Sequence, residues 1–166
     1  MTKPSTLNPK YRTVKDSITV SSDMILSADL NSYGTVFGGH LVSLIDRVAA
    51  ISGRKHTSGG AVVTVSIDQL VFKRPVLNGS ILTIRSSVNR VFNTSMEIGA
   101  SVTSIEPNTD KEVHICTAYL TFVLVNEFGK PQQILKVIPE SEIEKKRYSH
   151  AAIRRTTRLK LLKKLS

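Results

Sequence analysis

One cysteine, no tryptophan and no long apolar run set the first limits on a chain of 166 residues. Cys116 alone cannot close an intrachain disulfide, and no Cys/His spacing suits a structural zinc, so the fold must hold without either staple. The longest nearly unbroken apolar stretch, Ala118 to Val125, falls far short of the roughly 20 residues that a membrane-spanning helix needs. The N-terminal residues carry charge but no apolar run behind it. They lack the middle of a secretory signal, and the expected location is the cytoplasm. A G-x-x-x-x-G-K-[ST] phosphate loop is also missing.

Acidic residues are scarce in one place only. The chain has 23 Lys+Arg against 13 Asp+Glu, a net charge of +10, yet from Lys145 to Ser166 there are nine basic residues and no acidic one. The body is therefore nearly neutral and the tail carries the excess. A nucleic-acid surface would spread its cations over a folded face, with aromatics among them where single strands bind. This tail interleaves its cations with leucine, so no nucleic-acid partner is expected, and contact with an anionic surface is the alternative to a solvated tail.

What is present is enough apolar residue, 40% of the chain, for one domain with a real core. Residues 1–16 read as a flexible arm, residues 17–148 as the domain and residues 149–166 as a basic, helical tail. Leu41, Leu44, Ile45, Val48 and Ile51 recur at helical spacing, predicting a buried helix from about His40 to Lys55. From Val63 onward the period falls to two: Val63, Val65 and Ile67 alternate with Thr64, Ser66 and Asp68. Segments 81–92, 95–105 and 112–125 follow, with short connections of antiparallel type. One helix followed by a run of strands argues for an α+β fold in which an antiparallel sheet curls around a single long helix. Cys116, Ala118, Leu120, Phe122 and Leu124 share one face of the last strand; Ile115, Tyr119, Val123 and Val125 share the other. Both faces ask for burial, so the outer face or an edge is expected to meet a second subunit.

Asp46 stands out on physical grounds. It sits mid-helix among Val42, Ala49, Ala50 and Gly53, where a carboxylate must be paired, protonated or functional. An ion pair with Arg47, Arg54 or another chain is the plain alternative. Gly38 and Gly39 open the same helix, where unpaired N–H groups and the helix dipole favour developing negative charge, the elements of an oxyanion hole. Asp46 lies seven residues on, about 10 Å along the axis. His114 and Cys116, two apart on a strand, read as packing rather than as a thiolate–imidazole pair. Asp68 reads as a backbone-binding residue more than as a partner of Asp46, and His40 and His56 as surface or cap residues.

The segments DLNSYGTVFGGHLVSLIDRVAA, VVTVSIDQLVFKRPVLNGS, TSMEI and TAYLTFVLVNEFGKP occur in order between residues 29 and 131. Together, and most specifically through N-x-x-G-x-x-F-G-G-x(6)-D with F-x-R-P-V, they resemble the acyl-CoA hydrolase group of hotdog-fold thioesterases, a likeness running from about residue 18 to 148. The resemblance implies an antiparallel sheet wrapped around a central helix, sheets joined between two subunits, and active sites at that junction. It implies hydrolysis of an acyl-CoA thioester to a carboxylic acid and CoA without metal or other cofactor, in an oligomer built on dimers and tending to a trimer of them. By position Asp46 matches the carboxylate that serves as general base or nucleophile, Asn31 the Asn that helps hold the site, and Gly39, next to Gly38, the N–H that polarises the carbonyl. Some hotdog relatives have His where this chain has Phe37, so a His contact to the oxyanion is not carried over. Phe72, Lys73, Arg74, Thr94 and Ser95 match segments that line the CoA channel, with Arg74 and Arg90 as phosphate partners. A non-catalytic acyl-CoA sensor of the same fold is the competing reading. A hotdog dehydratase is disfavoured by the missing His.

Overall fold

A computed structural model describes residues 11–68 and 70–165. In chain order the elements are β1 (Tyr11–Thr13), β2 (Thr19–Met24), α1 (Gly38–His56), β3 (Ala61–Ile67), β4 (Ile81–Val91), β5 (Ser95–Ile105), β6 (Glu112–Val125), β7 (Lys136–Ile138) and α2 (Glu142–Leu165), with 3-10 turns at Lys15–Ser17 and Ser27–Asp29. Five strands form one antiparallel sheet in the order β2-β4-β5-β6-β3. The sheet curls around α1, the architecture the sequence predicts.

α1 forms where the apolar period is helical, and its buried residues Leu41, Leu44, Ile45, Val48, Ala49 and Ser52 trace one stripe. Burying each of the large ones is worth roughly 1.5–3 kcal/mol. The stripe packs on Leu82, Ile84, Val88, Met96, Ile98, Val102, Leu120 and Phe122, all buried. Close approach depends on Gly53, where a Cβ would come within 2.9 Å of Met96 Cε and 3.3 Å of Ile98 Cδ1. Arg54, Lys55 and His56 occupy the last turn, where cations suit the helix dipole. The helix ends in the left-handed backbone of Ser58 (φ 55°) and Gly59 (φ 91°), whose N–H reaches back to Arg54 O at 2.8 Å.

The structure departs from the sequence reading in four places. Residues 1–10 of the expected arm lie outside the described residues, but Tyr11–Thr13 is a strand, paired in parallel with β7. In β3 the strict alternation breaks where the register with β6 shifts between Thr64 and Ser66: Val62 and Thr64 turn toward α1, Val63 turns outward beside Val123, Ile67 pairs with inward Leu120, and Val63, Val65 and Ile67 are 49%, 56% and 40% exposed. In β6 the register shifts between Val102 and Thr103, so Ile115 is an extra, fully buried residue rather than an outward one. His114 then faces Thr117, Nε2 to Oγ1 at 3.2 Å, and does not share a row with buried Cys116.

The fourth departure concerns the tail: helical as expected, it forms with residues 142–148 one long helix laid on the outer face of this chain's own sheet. Arg154 forms a two-pronged pair with Glu97, Nε to Oε2 at 3.0 Å and Nη2 to Oε1 at 2.7 Å, and stacks 3.6 Å from the centre of the Tyr119 ring. Arg158 pairs with Asp68 at 2.7 Å. Arg155 lies over Phe92, and Arg90 lies 4.2 Å over Tyr148. The part of the outer face around Arg90, Glu97 and Tyr119, expected to need a second subunit, is therefore covered by this chain's own α2, while Val20, Arg85 and Thr117 stay exposed. No described helix is long and apolar enough to cross a membrane.

Candidate active site

The loop before α1 is shaped by Asn31. Its Oδ1 accepts the N–H groups of Tyr33 (2.9 Å) and Thr35 (3.3 Å), and its Nδ2 donates to Thr35 Oγ1 at 3.0 Å. Gly34 supplies the positive φ, 74°, that this turn requires. Phe37 enters the helix in an extended conformation and offers no side-chain cap. The N–H groups of Gly38 and Gly39 are consequently without partners among the described residues, and they point out of the helix start beside the exposed Phe37 ring. A Cβ on Gly39 would meet that ring at 2.7 Å, so the residue is bare where the ring lies over it.

A cleft of about 310 Å³ opens between this loop, at Thr35, Val36 and Gly38, and the segment of Phe72, Lys73 and Arg74. The second wall is pinned to the sheet by Lys73 N–H to Ile115 O at 2.9 Å, using the carbonyl of the extra residue in β6. Lys73 and Arg74 are exposed, and neither side chain has an ion-pair partner among the described residues.

Asp46 is half-buried two turns into α1 and does not line this cleft. Thr64 Oγ1 donates to its Oδ1 at 2.7 Å, fixing one oxygen and leaving Oδ2 without a partner among the described residues. No ion pair to Arg47 or Arg54 forms among those residues. Sequence reasoning missed Thr64. The available signal was a polar residue on the inward row of β3, next to a mid-helix carboxylate that needed a partner.

The remaining candidates divide. Phe72, Lys73, Arg74, Gly38 and Asn31's loop come together around the cleft. Thr94 and Ser95 sit at the turn between β4 and β5, near the C-terminal end of α1, about 25 Å of helix away from Gly38. Arg90 is engaged under α2 and donates to Tyr148 O at 3.3 Å. Asp68 is tied to α2, on the opposite face of the sheet from Asp46. His40 Nε2 lies 3.4 Å from Asp29 Oδ1 at the helix entrance. His56, expected as a surface or cap residue, ends α1 but is fully buried, with Nε2 held by Leu135 O at 2.8 Å; burial keeps its pKa below the ordinary value. Burial pushes the Cys116 thiol up to about 11, so it is not a nucleophile at neutral pH. Among the described residues no group of His, Cys, Asp and Glu is arranged to hold a metal ion.

Comparison with known proteins gives a consistent picture. A family model described as the thioesterase superfamily matches residues 33–110. An uncharacterized acyl-CoA thioester hydrolase of Bacillus subtilis, YkhA, is 34% identical over 136 residues, which is 82% of this chain and 78% of that protein. An apo-hexameric acyl-CoA thioesterase superposes with a TM-score of 0.88 at 36% identity, covering 92% of this chain and 97% of the other. The acyl-CoA hydrolase of Staphylococcus aureus, solved with butyryl coenzyme A, coenzyme A and coenzyme A disulfide, gives 0.84 at 31% identity over 93% and 96%. Separate structures of that enzyme carry an Asn, an Asp or a Thr replaced by Ala. The curled sheet, the glycine-opened helix with its carboxylate and these relatives agree, and this chain belongs to the hotdog-fold acyl-CoA thioesterases.

Proposed function

We infer that the chain hydrolyses acyl-CoA thioesters to a carboxylic acid and CoA, with Asp46 as the reacting carboxylate. The observation that carries this is the Thr64–Asp46 hydrogen bond, which orients one carboxylate oxygen and leaves the other open on the flank of a helix whose entrance presents free N–H groups. In the S. aureus enzyme the replaced Asp lies fifteen residues after the replaced Asn and the replaced Thr seventeen after the Asp. Here Asn31, Asp46 and Thr64 are fifteen and eighteen apart.

With the thioester carbonyl oxygen at the N–H of Gly39, attack at carbon places negative charge where helix-start donors stabilise it; losing one such donor typically costs 10²–10³ in rate. As general base, Asp46 takes a proton from the attacking water, and collapse of the tetrahedral intermediate expels the CoA thiolate, which recovers that proton. As nucleophile, Asp46 attacks the thioester carbon and expels the CoA thiolate, forming an acyl anhydride that water opens at the Asp46 carbonyl, releasing the carboxylic acid. Lys73 and Arg74, free cations on the cleft wall, suit the phosphates of CoA.

The distance along α1 between Gly39 and Asp46, together with the exposed β3 edge beside Asp46, supports a site completed by a second copy. The hexameric assemblies named for three similar structures point the same way. A dimer joined at β3, repeated in a larger ring, is the assembly this reading carries, and cytoplasmic residence goes with it.

The test is Asp46→Asn, assayed by thiol release from butyryl-CoA. The expected result is at least a hundredfold loss of kcat, about 2.7 kcal/mol, with an unchanged far-UV circular dichroism spectrum and retained CoA binding. Near wild-type turnover overturns the assignment. A single turnover in ¹⁸O water separates the two routes, since only the nucleophilic one leaves label in Asp46.

A further inference from the structure

α2 covers only part of the outer face of the sheet, along the contacts of Arg90, Glu97, Tyr119 and Asp68. Two further rows of that face, Ser87–Gly99–Tyr119 and Arg85–Ser101–Thr117, run across β4, β5 and β6 beside the helix. Glycine and serines in the middle of these rows leave a hollow between the helix and the longer side chains around it. The hollow is a cavity of about 480 Å³, within the size range of small-molecule sites. Arg147 from α2 and Ile18 and Val20 from the β2 side complete its lining. It lies on the opposite face of the sheet from α1 and Asp46 and shares no lining residue with the cleft at Phe72, Lys73 and Arg74.

A bulge supplies the cavity with a polar group. The register of β4 against β5 shifts between Val88 and Arg90, so Asn89 is an extra residue whose amide turns onto the outer face. It lies over Gly99, where a Cβ would meet Nδ2 at 2.7 Å and Oδ1 at 3.1 Å. Nδ2 donates to Glu97 Oε1 at 3.0 Å, which leaves Oδ1 without a partner among the described residues although Asn89 is only 3% exposed. Ser87, 8% exposed, turns outward as Ser86 turns inward to Ser52, and its hydroxyl also has no partner among those residues. Buried polar groups of this kind cost stability unless water or a ligand meets them.

The charge of the cavity has one sign. No acidic side chain lines it, and two guanidiniums do. Glu112 holds Arg85 at 3.1 Å, while Arg147 is exposed and forms no ion pair among the described residues. Two planar cations on one cavity suit a phosphate group, which takes charge-assisted bonds from such donors. The floor fits a different part of a ligand. Ser87 and Ser101 bring hydroxyls and Asn89 an acceptor oxygen, a set that matches groups able both to donate and to accept, as sugar hydroxyls do. Tyr119, the one aromatic lining residue, already carries Arg154 over its ring at 3.6 Å, so a nucleobase finds no pair of rings to lie between. Ile18 and Val20 are too few to sheathe an acyl chain.

We propose that this outer-face cavity is a binding site for a small phosphorylated polyol, with the phosphate at Arg147 and Arg85 and the hydroxyl groups at Ser87, Asn89 and Ser101. The site stands apart from the thioester reading, because none of its residues belongs to the hydrolytic assignment and neither result depends on the other.

The test is isothermal titration calorimetry of the full chain with glucose 6-phosphate in a phosphate-free buffer. The expected result is a dissociation constant of about 1 mM or tighter, with inorganic phosphate roughly tenfold weaker and glucose weaker still. Arg147→Ala, which removes the free cation, and Ser101→Leu, which fills the floor, are each expected to weaken binding by about tenfold or more. Lys146→Ala, the neighbouring exposed cation that does not line the cavity, is expected to leave it unchanged. Far-UV spectra and melting temperatures of the variants should match the wild type, which separates lost binding from lost fold. Absence of saturable binding overturns the proposal. Equal affinity for glucose 6-phosphate and inorganic phosphate overturns it in favour of an adventitious ion only, and tighter binding of adenosine monophosphate overturns it in favour of a nucleotide. A loss in Lys146→Ala equal to that in Arg147→Ala overturns it too, as attraction to the basic helix at large.

Discussion

Against the inner face of the sheet lies a helix that brings Leu41, Leu44, Ile45 and Val48; against the outer face lies one whose contacts are made by Arg154, Arg155 and Arg158. The inner contact is dry and non-directional, and its few polar groups are absorbed locally, as when Ser52 and Ser86 share a hydrogen bond of 2.6 Å. The outer contact has a small apolar part, at buried Ala151 and at Tyr148, and is otherwise made of matched pairs, guanidinium on carboxylate and guanidinium on ring. Apolar packing tolerates small shifts, whereas a pair such as Arg154 with Glu97, the latter 2% exposed in its side chain, works only in one position. The first face gives cohesion; the second fixes where α2 lies and hence where its far end emerges.

That contrast is broken most severely by Arg154→Ala, which leaves the buried Glu97 carboxylate with only the Asn89 amide, 3.0 Å from Oε1. Losing one partner of such a pair costs about 3–5 kcal/mol, and chemical denaturation should show it. Combining Glu97→Gln with Arg154→Met should recover most of the loss, because the stranded charge is gone. On the inner face, Gly53→Ala tests how closely α1 approaches β5. Overpacking against Met96 and Ile98 costs about 1–3 kcal/mol, offset by roughly 1 kcal/mol of helix propensity. A net destabilisation near 1 kcal/mol, measured by thermal melting, is the expected outcome, and a stabilised variant would show the inner contact to be looser than described.

The smallest effect is a pH dependence at His56, the one buried histidine of the inner helix. Its folded pKa lies below the ordinary value, mainly through burial. As pH falls below about 6.5 the unfolded chain takes up a proton that the folded chain refuses, so stability declines until the lower folded pKa is reached. The slope is at most about 1.4 kcal/mol per pH unit. Denaturant midpoints between pH 5 and 7 should fall with pH in the wild type and flatten in His56→Gln.

The same contrast explains what could be read from the sequence. α1 and strands β4 to β6 were legible within about two residues because apolar periodicity encodes an inner face directly. α2 was read as helical and basic, but its docking on the sheet was not, because arginines that stack and pair leave no apolar stripe. The first half of β3 was read with its faces exchanged, since an edge strand exposes valines and the inward Thr64 looks like a surface residue, and the register shift between Thr64 and Ser66, which restores the expected faces at Ile67 and Asp68, cannot be seen in an alternating pattern. The extra residue at Ile115 cannot be seen in a strictly alternating pattern. In the site, Asp46 and the glycines at the helix start were legible from chemistry alone, and Asn31 from resemblance. Thr64 was hidden because its partner is known only once β3 lies beside α1.

The Arg154 and Arg158 contacts also impose an order in time. Synthesis delivers every strand of the sheet before the residues that neutralise its outer face. Until residues 154 and 158 have emerged, Glu97 and Asp68 lack the guanidinium partners they hold in the finished fold. The nascent sheet is then dry on the side of α1 and wet on the other, and docking of α2 is its final dehydration. A chain interrupted before Arg154 would keep Glu97 and the outer face of β5 around it hydrated, open to proteases that the finished molecule turns away.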